Sequence, residues 1–121
     1  LVTRADDFVV ADDPTTPGEL AAVAGLEVCS DDALLRSVAV RPEWRARGLG
    51  RALVERVVRR AEERGVRALY LLTTTAESYF PRFGFARIER ADVPAAIAGT
   101  LEFREACPAS AVAMARPMVT A

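Results

Sequence analysis

The stretch Arg41-Pro42-Glu43-Trp44-Arg45-Ala46-Arg47-Gly48-Leu49-Gly50-Arg51 decides how this chain is read. It is a polar, glycine-bearing loop that leaves the apolar run Ala33 to Val40 and enters a periodic segment. From Arg51 to Arg64, Leu53, Val54, Val57, Val58 and Ala61 recur at i, i+3, i+4 spacing, the pattern of a helix with one buried face. Glu55, Arg56, Arg59, Arg60, Glu62 and Glu63 occupy the opposite face, with Glu55 and Arg59 at ion-pair spacing. Gly65 suits the residue just past the helix end, which commonly adopts a left-handed conformation. Glycines spaced G-x-G at a strand-to-helix junction let backbone N–H groups approach an anion where the helix dipole adds about half a positive charge. Arg45, Arg47 and Arg51 surround the same turn. The spacing therefore points to a phosphate or pyrophosphate, or else to a plain glycine-rich connection.

The rest of the chain supplies strands on both sides. Phe8-Val9-Val10-Ala11, Leu20 to Cys29 and Ala33 to Val40 are separated by turn-forming residues and read as two successive antiparallel hairpins. The third run is apolar except at Arg36 and Ser37, which implies burial on both faces. Leu69 to Thr73 reads as a strand parallel to Ala33–Val40, joined to it through the helix. A short helix is expected from about Ala76 to Phe83, a strand over Phe85 to Ile88, and a last strand over Ala111 to Ala115. Asp92 is placed to cap a helix with Pro94 in its first turn, running to about Ala106. The class is mixed α/β (α+β), in a single domain spanning residues 1–121.

Composition narrows the chemistry. The 121 residues carry 16 basic and 17 acidic side chains, and every basic one is Arg; His, Lys, Asn and Gln are absent while Ala occurs 23 times. That bias fits a GC-rich bacterial or archaeal genome. Without His there is no Ser-His-Asp or Cys-His system and no imidazole metal site. Without Lys there is no Schiff base and no phosphate-loop lysine. A net charge of −1 argues against a nucleic-acid partner. No apolar run reaches the ~18 residues of a membrane span, so neither a membrane nor a metal is expected. Cys29 and Cys107 lack metal-ligand spacing and read as reduced, buried thiols of a cytoplasmic protein.

The phosphate ligand can be narrowed further. A Walker loop is missing, and a dinucleotide fingerprint would need a small residue where Leu53 stands. What remains, Arg45-x-x-Gly48-x-Gly50 between an apolar strand and an amphipathic helix, resembles motif A of the GNAT superfamily of acetyl-CoA-dependent acyltransferases. The order strand, loop, long helix, strand, short helix, Gly84-Phe85, strand is similar to that family over roughly residues 8–90. Three runs, Leu34 to Val40, Leu71 to Glu77 and Cys107-Pro108-Ala109-Ser110-Ala111, resemble the family's arsenic-resistance-associated N-acetyltransferase branch.

The resemblance implies a mixed central sheet whose two parallel strands splay to admit acetyl-CoA as co-substrate. Backbone groups of Val38, Ala39 and Val40 would bind the pantetheine arm like an added strand, and an N–H there would polarise the thioester carbonyl. The N–H groups of Arg45, Ala46, Arg47, Gly48, Leu49, Gly50 and Arg51 would hold the pyrophosphate. The acceptor would be the amine of a small molecule. Many members use a Tyr four residues before the Gly of Gly-Phe to protonate the leaving thiolate; that position is Phe80 here, and Tyr79 stands one residue earlier. Tyr79 is thus the candidate acid and Glu27 the candidate base. Arg36 and Thr74 are candidate acceptor-site residues, with Thr73 and Thr75 beside them. An Arg on a central strand needs an anion, supplied either by Glu27 or by a negatively charged group on the acceptor.

The family's usual first strand and helices have no counterpart ahead of Phe8. An incomplete sheet edge favours pairing with a second copy. Other readings of the same residues are acetylation of a protein N-terminus or polyamine, and a non-catalytic acyl-CoA-binding module, for which Phe80 is the argument.

Overall fold

A computed structural model describes residues 2–3, 8–44, 48–74, 77–100 and 111–118. Seven strands make one mixed sheet: β1 (Val2–Thr3), β2 (Phe8–Asp12), β3 (Leu20–Cys29), β4 (Asp32–Val40), β5 (Ala68–Thr73), β6 (Ala86–Ile88) and β7 (Val112–Pro117). Their order is β1-β2-β3-β4-β5-β7-β6. The first four form an antiparallel meander, β4 and β5 are parallel, and β7 returns antiparallel between β5 and β6. Helix α1 (Leu49–Glu63) makes the β4-to-β5 crossover, and α2 (Ala95–Ala98) is a single turn.

The register explains which faces are buried. Leu34 and Leu35 are neighbours on β4, so they point to opposite faces, and both are buried. On one face Leu35, Ala24, Leu26, Leu69, Leu71 and Met114 pack beneath Leu53, Val54, Val57 and Ala61 of α1. On the other, Leu34 and Ala113 meet Val93 and Ile97 around α2. The expectation of two-sided burial therefore holds at the start of β4. It fails at the far end, where Val38 is 40% exposed and Ala39 is also exposed.

Several expectations are corrected. Val2–Thr3 adds an edge strand that two residues could not announce in sequence. The short helix over 76–83 is a turn followed by a 3-10 segment at Phe80–Phe83; Pro81 denies it an α-helical N–H. Asp92 does not cap α2. It ends a 3-10 turn over Arg90–Asp92, and Pro94 is the cap residue. That helix stops at Gly99, since glycine is a poor helix former, and the remainder of the expected helix lies outside the described residues. Arg51, not Arg59, pairs with Glu55, at 2.8 Å. Gly65 adopts φ +71° past α1, as expected.

Because Leu53 is fully buried under α1 whereas Leu20 is 37% exposed, the two should respond differently to truncation. Leu53→Ala is expected to lower the unfolding free energy by about 3 kcal/mol and Leu20→Ala by under about 1 kcal/mol. Urea denaturation checks both; equal losses would mean that α1 is not the principal cover of this face.

Candidate functional site

The ladder between β4 and β5 has two rungs, Ala33–Leu69 and Leu34–Tyr70, and no more. Beyond them the strands part, as expected for splayed parallel strands. The β5-facing edge of β4 is thus without a strand partner over residues 36–39. On its other side β4 stays paired with β3, where Val23 faces Ala39 but Gly25 faces Arg36. One extra residue is therefore accommodated in β4, a bulge that bends the strand and re-aims its side chains. Val38 lies in that bulge and projects outward. An extended polar chain could add to this edge by the same hydrogen bonding that adds a strand.

The helix N-terminus faces the same end of β4. Gly48 is the cap residue at φ +77°, with no side-chain cap, a conformation in which an L side chain is strained. The first intrahelical bond runs from the Ala52 N–H to the Gly48 carbonyl at 3.1 Å, so the N–H groups of Leu49, Gly50 and Arg51 precede it and remain for an anion. A Cβ on Gly50 would stand 3.7 Å from the Tyr79 hydroxyl and 3.8 Å from a Val40 methyl. Those are ordinary contacts, so the fold itself would accept a methyl group there. What glycine leaves open is a small cradle between helix, strand and tyrosine. Arg51 reaches outward, paired with Glu55, and residues 45–47 lie outside the described residues.

Tyr79 bridges the loop and the aromatic cluster. Its ring meets Phe80 and Phe83 edge-on at centroid distances of 5.4 and 5.3 Å, and the Arg82 guanidinium lies 4.5 Å from its centroid. Those contacts hold its hydroxyl beside Gly50. Phe80 turns the other way and is buried against Phe85.

The other candidates separate. Arg36 Nη1 donates to Glu27 Oε1 at 2.8 Å, with the two side chains 40% and 34% exposed. Arg36 is therefore not buried, and Glu27 is its partner and not an isolated carboxylate. Thr74 stands exposed just past β5, across the gap from Arg36; Thr75 lies outside the described residues. Cys29 is half-buried and free, and burial, aided by the Glu27 charge, pushes its thiol up, which keeps it protonated at neutral pH. Cys107 lies outside the described residues. No group of metal-ligating side chains occurs among the described residues, and none of their helices is long and apolar enough to cross a membrane.

Sequence reasoning missed the anchor of the loop. Asp13, in the β2–β3 connection, is buried. It accepts bonds from the Thr15 N–H at 2.8 Å and the Thr15 hydroxyl at 2.6 Å, and from the side chain of Trp44. Arg41 Nη1 lies 3.9 Å from it and also pairs with Glu19 at 2.9 Å, while its Nε pairs with Glu43 at 2.8 Å. The latch ties a turn at one edge of the sheet to Pro42–Trp44, the segment that leads into the glycine loop. An Asp-x-Thr turn pattern was the available signal, but nothing in it names a partner about 30 residues away.

The Thr15 hydroxyl and amide, then Trp44 and Arg41, hold the Asp13 carboxyl below its ordinary value of 3.8, against the opposing effect of burial. A folded-state value below the unfolded one stabilises the fold at pH above 3.8, and that stability is lost as pH falls through the lower folded value. Asp13→Ala should therefore flatten the acid limb of the stability profile. It should also red-shift the emission of Trp44, the sole tryptophan. An unchanged emission and acid limb would show that the latch does not form.

The comparisons with known proteins bear on this geometry. A profile of the acetyltransferase (GNAT) domain matches residues 4–87. The ribosomal protein bS18-alanine N-acetyltransferase of Escherichia coli strain K12 is 44% identical over 57 residues, 47% of this chain and 38% of the relative. An amino-acid acetyltransferase of Mycobacterium tuberculosis is 33% identical over 98 residues, 80% of this chain and 56% of the relative. The chain thus spans between about two fifths and just over half of the length of these relatives. A Mycobacterium tuberculosis protein solved in complex with CoA superposes with a TM-score of 0.77 at 25% identity, covering 93% of this chain and 76% of that one. With the profile running from ahead of β2 into β6, the chain belongs to the GNAT acetyltransferase family.

Proposed function

We propose that this chain transfers the acetyl group of acetyl-CoA to an amine. The observation that carries the reading is the parting of β4 from β5 after two rungs, beside the left-handed Gly48 and the open N–H groups of Leu49 to Arg51. A pyrophosphate suits those N–H groups, and an amide-bearing arm suits the edge of β4 at Val38 and Ala39, with Val40 next to the Gly50 cradle. Acetyl-CoA supplies a thioester: the neutral amine attacks its carbonyl, the N–C bond forms, the C–S bond breaks, and the amine's proton leaves as the thiolate is protonated.

The chain's own groups have distinct parts in that reaction. The edge of β4 holds the carbonyl in place and supplies an N–H to its developing negative charge. The Tyr79 hydroxyl, held beside Gly50, is the proton donor to the thiolate. Glu27 is fastened to Arg36, so water beside that pair is the better route for the amine's proton. The relatives' names give an amino acid and an N-terminal alanine as acceptors, and we infer a small amine-bearing molecule of amino-acid type. Arg36 spends one N–H on Glu27 and keeps others for a carboxylate or carbonyl on that acceptor, with Thr74 on the opposite bank. A role in arsenic resistance rests on the resemblance of three short runs alone, the last of which lies almost wholly outside the described residues.

The alternative, a non-catalytic acyl-CoA-binding module, draws on Phe80, which is core where many members carry a tyrosine. Release of free thiol from acetyl-CoA with a panel of amino acids separates the two: the enzyme reading requires it, and binding without release leaves only the module.

Two variants test the assignment. Gly50→Ala is expected to keep or slightly raise Tm, because alanine favours the helix by about 1 kcal/mol, while weakening acetyl-CoA about tenfold, or about 1.4 kcal/mol. Unaltered affinity would place the co-substrate elsewhere. Tyr79→Phe should lower kcat roughly tenfold or more at an unchanged KM for acetyl-CoA; a full-strength kcat would remove Tyr79 from the chemistry.

A further inference from the structure

A second charged feature lies next to the glycine loop. An open cleft of about 680 Å³ runs along the outer face of α1, closed on its far side by the Phe80–Phe83 turn and the end of β7. Arg51, Arg59, Arg82 and Arg116 line it. Of these only Arg51 has a carboxylate partner, Glu55. Arg82 gives its Nε to the Tyr79 carbonyl and lies over that ring. Arg116 gives its Nε to the Phe83 carbonyl at 2.7 Å, and its Nη1 touches the Pro117 carbonyl and the Met118 sulfur. Arg59 makes no hydrogen bond or ion pair.

Neutral contacts thus fix Arg82 and Arg116 in place without neutralising them. Glu62 is the second acid in the lining, so four guanidiniums stand against two carboxylates. The surplus of two positive charges matches a phosphate monoester, which carries about −1.5 to −2 at neutral pH, and guanidinium forks fit its oxygens. Val58 and the edge of Phe83 add an apolar wall, suited to the rest of a nucleotide-sized molecule. The volume is too small for a folded partner or a duplex.

We propose that this cleft is a phosphate-monoester site, separate from the pyrophosphate position at the N-terminus of α1. Arg82 connects the two, because it lies on the ring whose hydroxyl touches the Gly50 cradle. One source of such a group is the ribose phosphate of acetyl-CoA, and this source rests on the acetyltransferase reading above. The other is a free phosphate or a phosphorylated small molecule.

The test uses the chain and the variants Arg59→Gln and Arg82→Gln at low ionic strength, where exposed charges are least screened. Three probes are titrated by calorimetry: acetyl-CoA, its 3′-dephospho analogue, and inorganic phosphate. If the ribose phosphate occupies the cleft, the analogue binds the chain at least about fivefold more weakly than acetyl-CoA. Each variant then weakens acetyl-CoA by a similar factor and leaves the analogue unchanged. If a free phosphate is the source, acetyl-CoA and its analogue bind alike, while inorganic phosphate binds the chain and loses affinity in both variants. Equal loss of acetyl-CoA and analogue in the variants, or no effect with any probe, overturns the proposal. Failure of the acetyltransferase reading looks different: neither thioester binds the unaltered chain, and the phosphate titration still decides the cleft.

Discussion

The arrangement rests on a parallel strand pair that is allowed only two rungs. A parallel ladder, once begun, normally continues for as long as both strands remain extended, because each rung removed leaves backbone groups to be satisfied otherwise. Here β4 is pulled off course by the extra residue opposite Ala24, and β5 stays straight because β7 pairs with it along all six of its residues. The sheet therefore opens from within, between strands each firmly held on its other side. The opening is bordered by α1, whose Leu53, Val54 and Val57 clamp the sheet just beyond it. A gap of this kind is stable without a ligand because its two walls are each secured independently.

Much of this was legible in the residues. The period of Leu53, Val54, Val57, Val58 and Ala61 fixes α1 and its buried face, and Gly48-x-Gly50 fixes where it begins. The alternation of Leu34 and Leu35 between two cores follows from strand geometry. The parting of β4 and β5 was legible only through resemblance, since a bulge has no periodic signature: Ser37 and Val38 continue the apolar run without interruption. The end of the chain was read less well. Asp92 and Pro94 are good helix-starting residues, yet Gly99 ends the turn after four residues. Pro81 likewise turns an expected helix into a 3-10 segment that still presents Tyr79 and Phe80 in opposite directions.

What escaped sequence reasoning shares one cause, which is distance along the chain. Asp13 and Trp44 meet across the sheet edge. Arg59 and Arg116, 57 positions apart in the sequence, meet across a cleft that neither run implies. Each looked like a solvated surface residue in its own segment. The ion pair of Glu27 and Arg36 was foreseen as one of two alternatives because strand pairing in a hairpin is short-ranged, and the structure decides for it. The absence of His and Lys is consistent with the site as built: its binding groups are backbone amides, its charges are guanidiniums, and its one hydroxyl near the cradle belongs to Tyr79.

The central claim is that the gap between β4 and β5 receives the acyl carrier. Amide hydrogen exchange with and without acetyl-CoA tests it most directly. The account predicts new protection confined to the β4 amides within residues 36–40 and to Leu49, Gly50 and Arg51, with α2 and the β1–β2 edge unchanged. Protection that bypasses β4 and the start of α1 would contradict it.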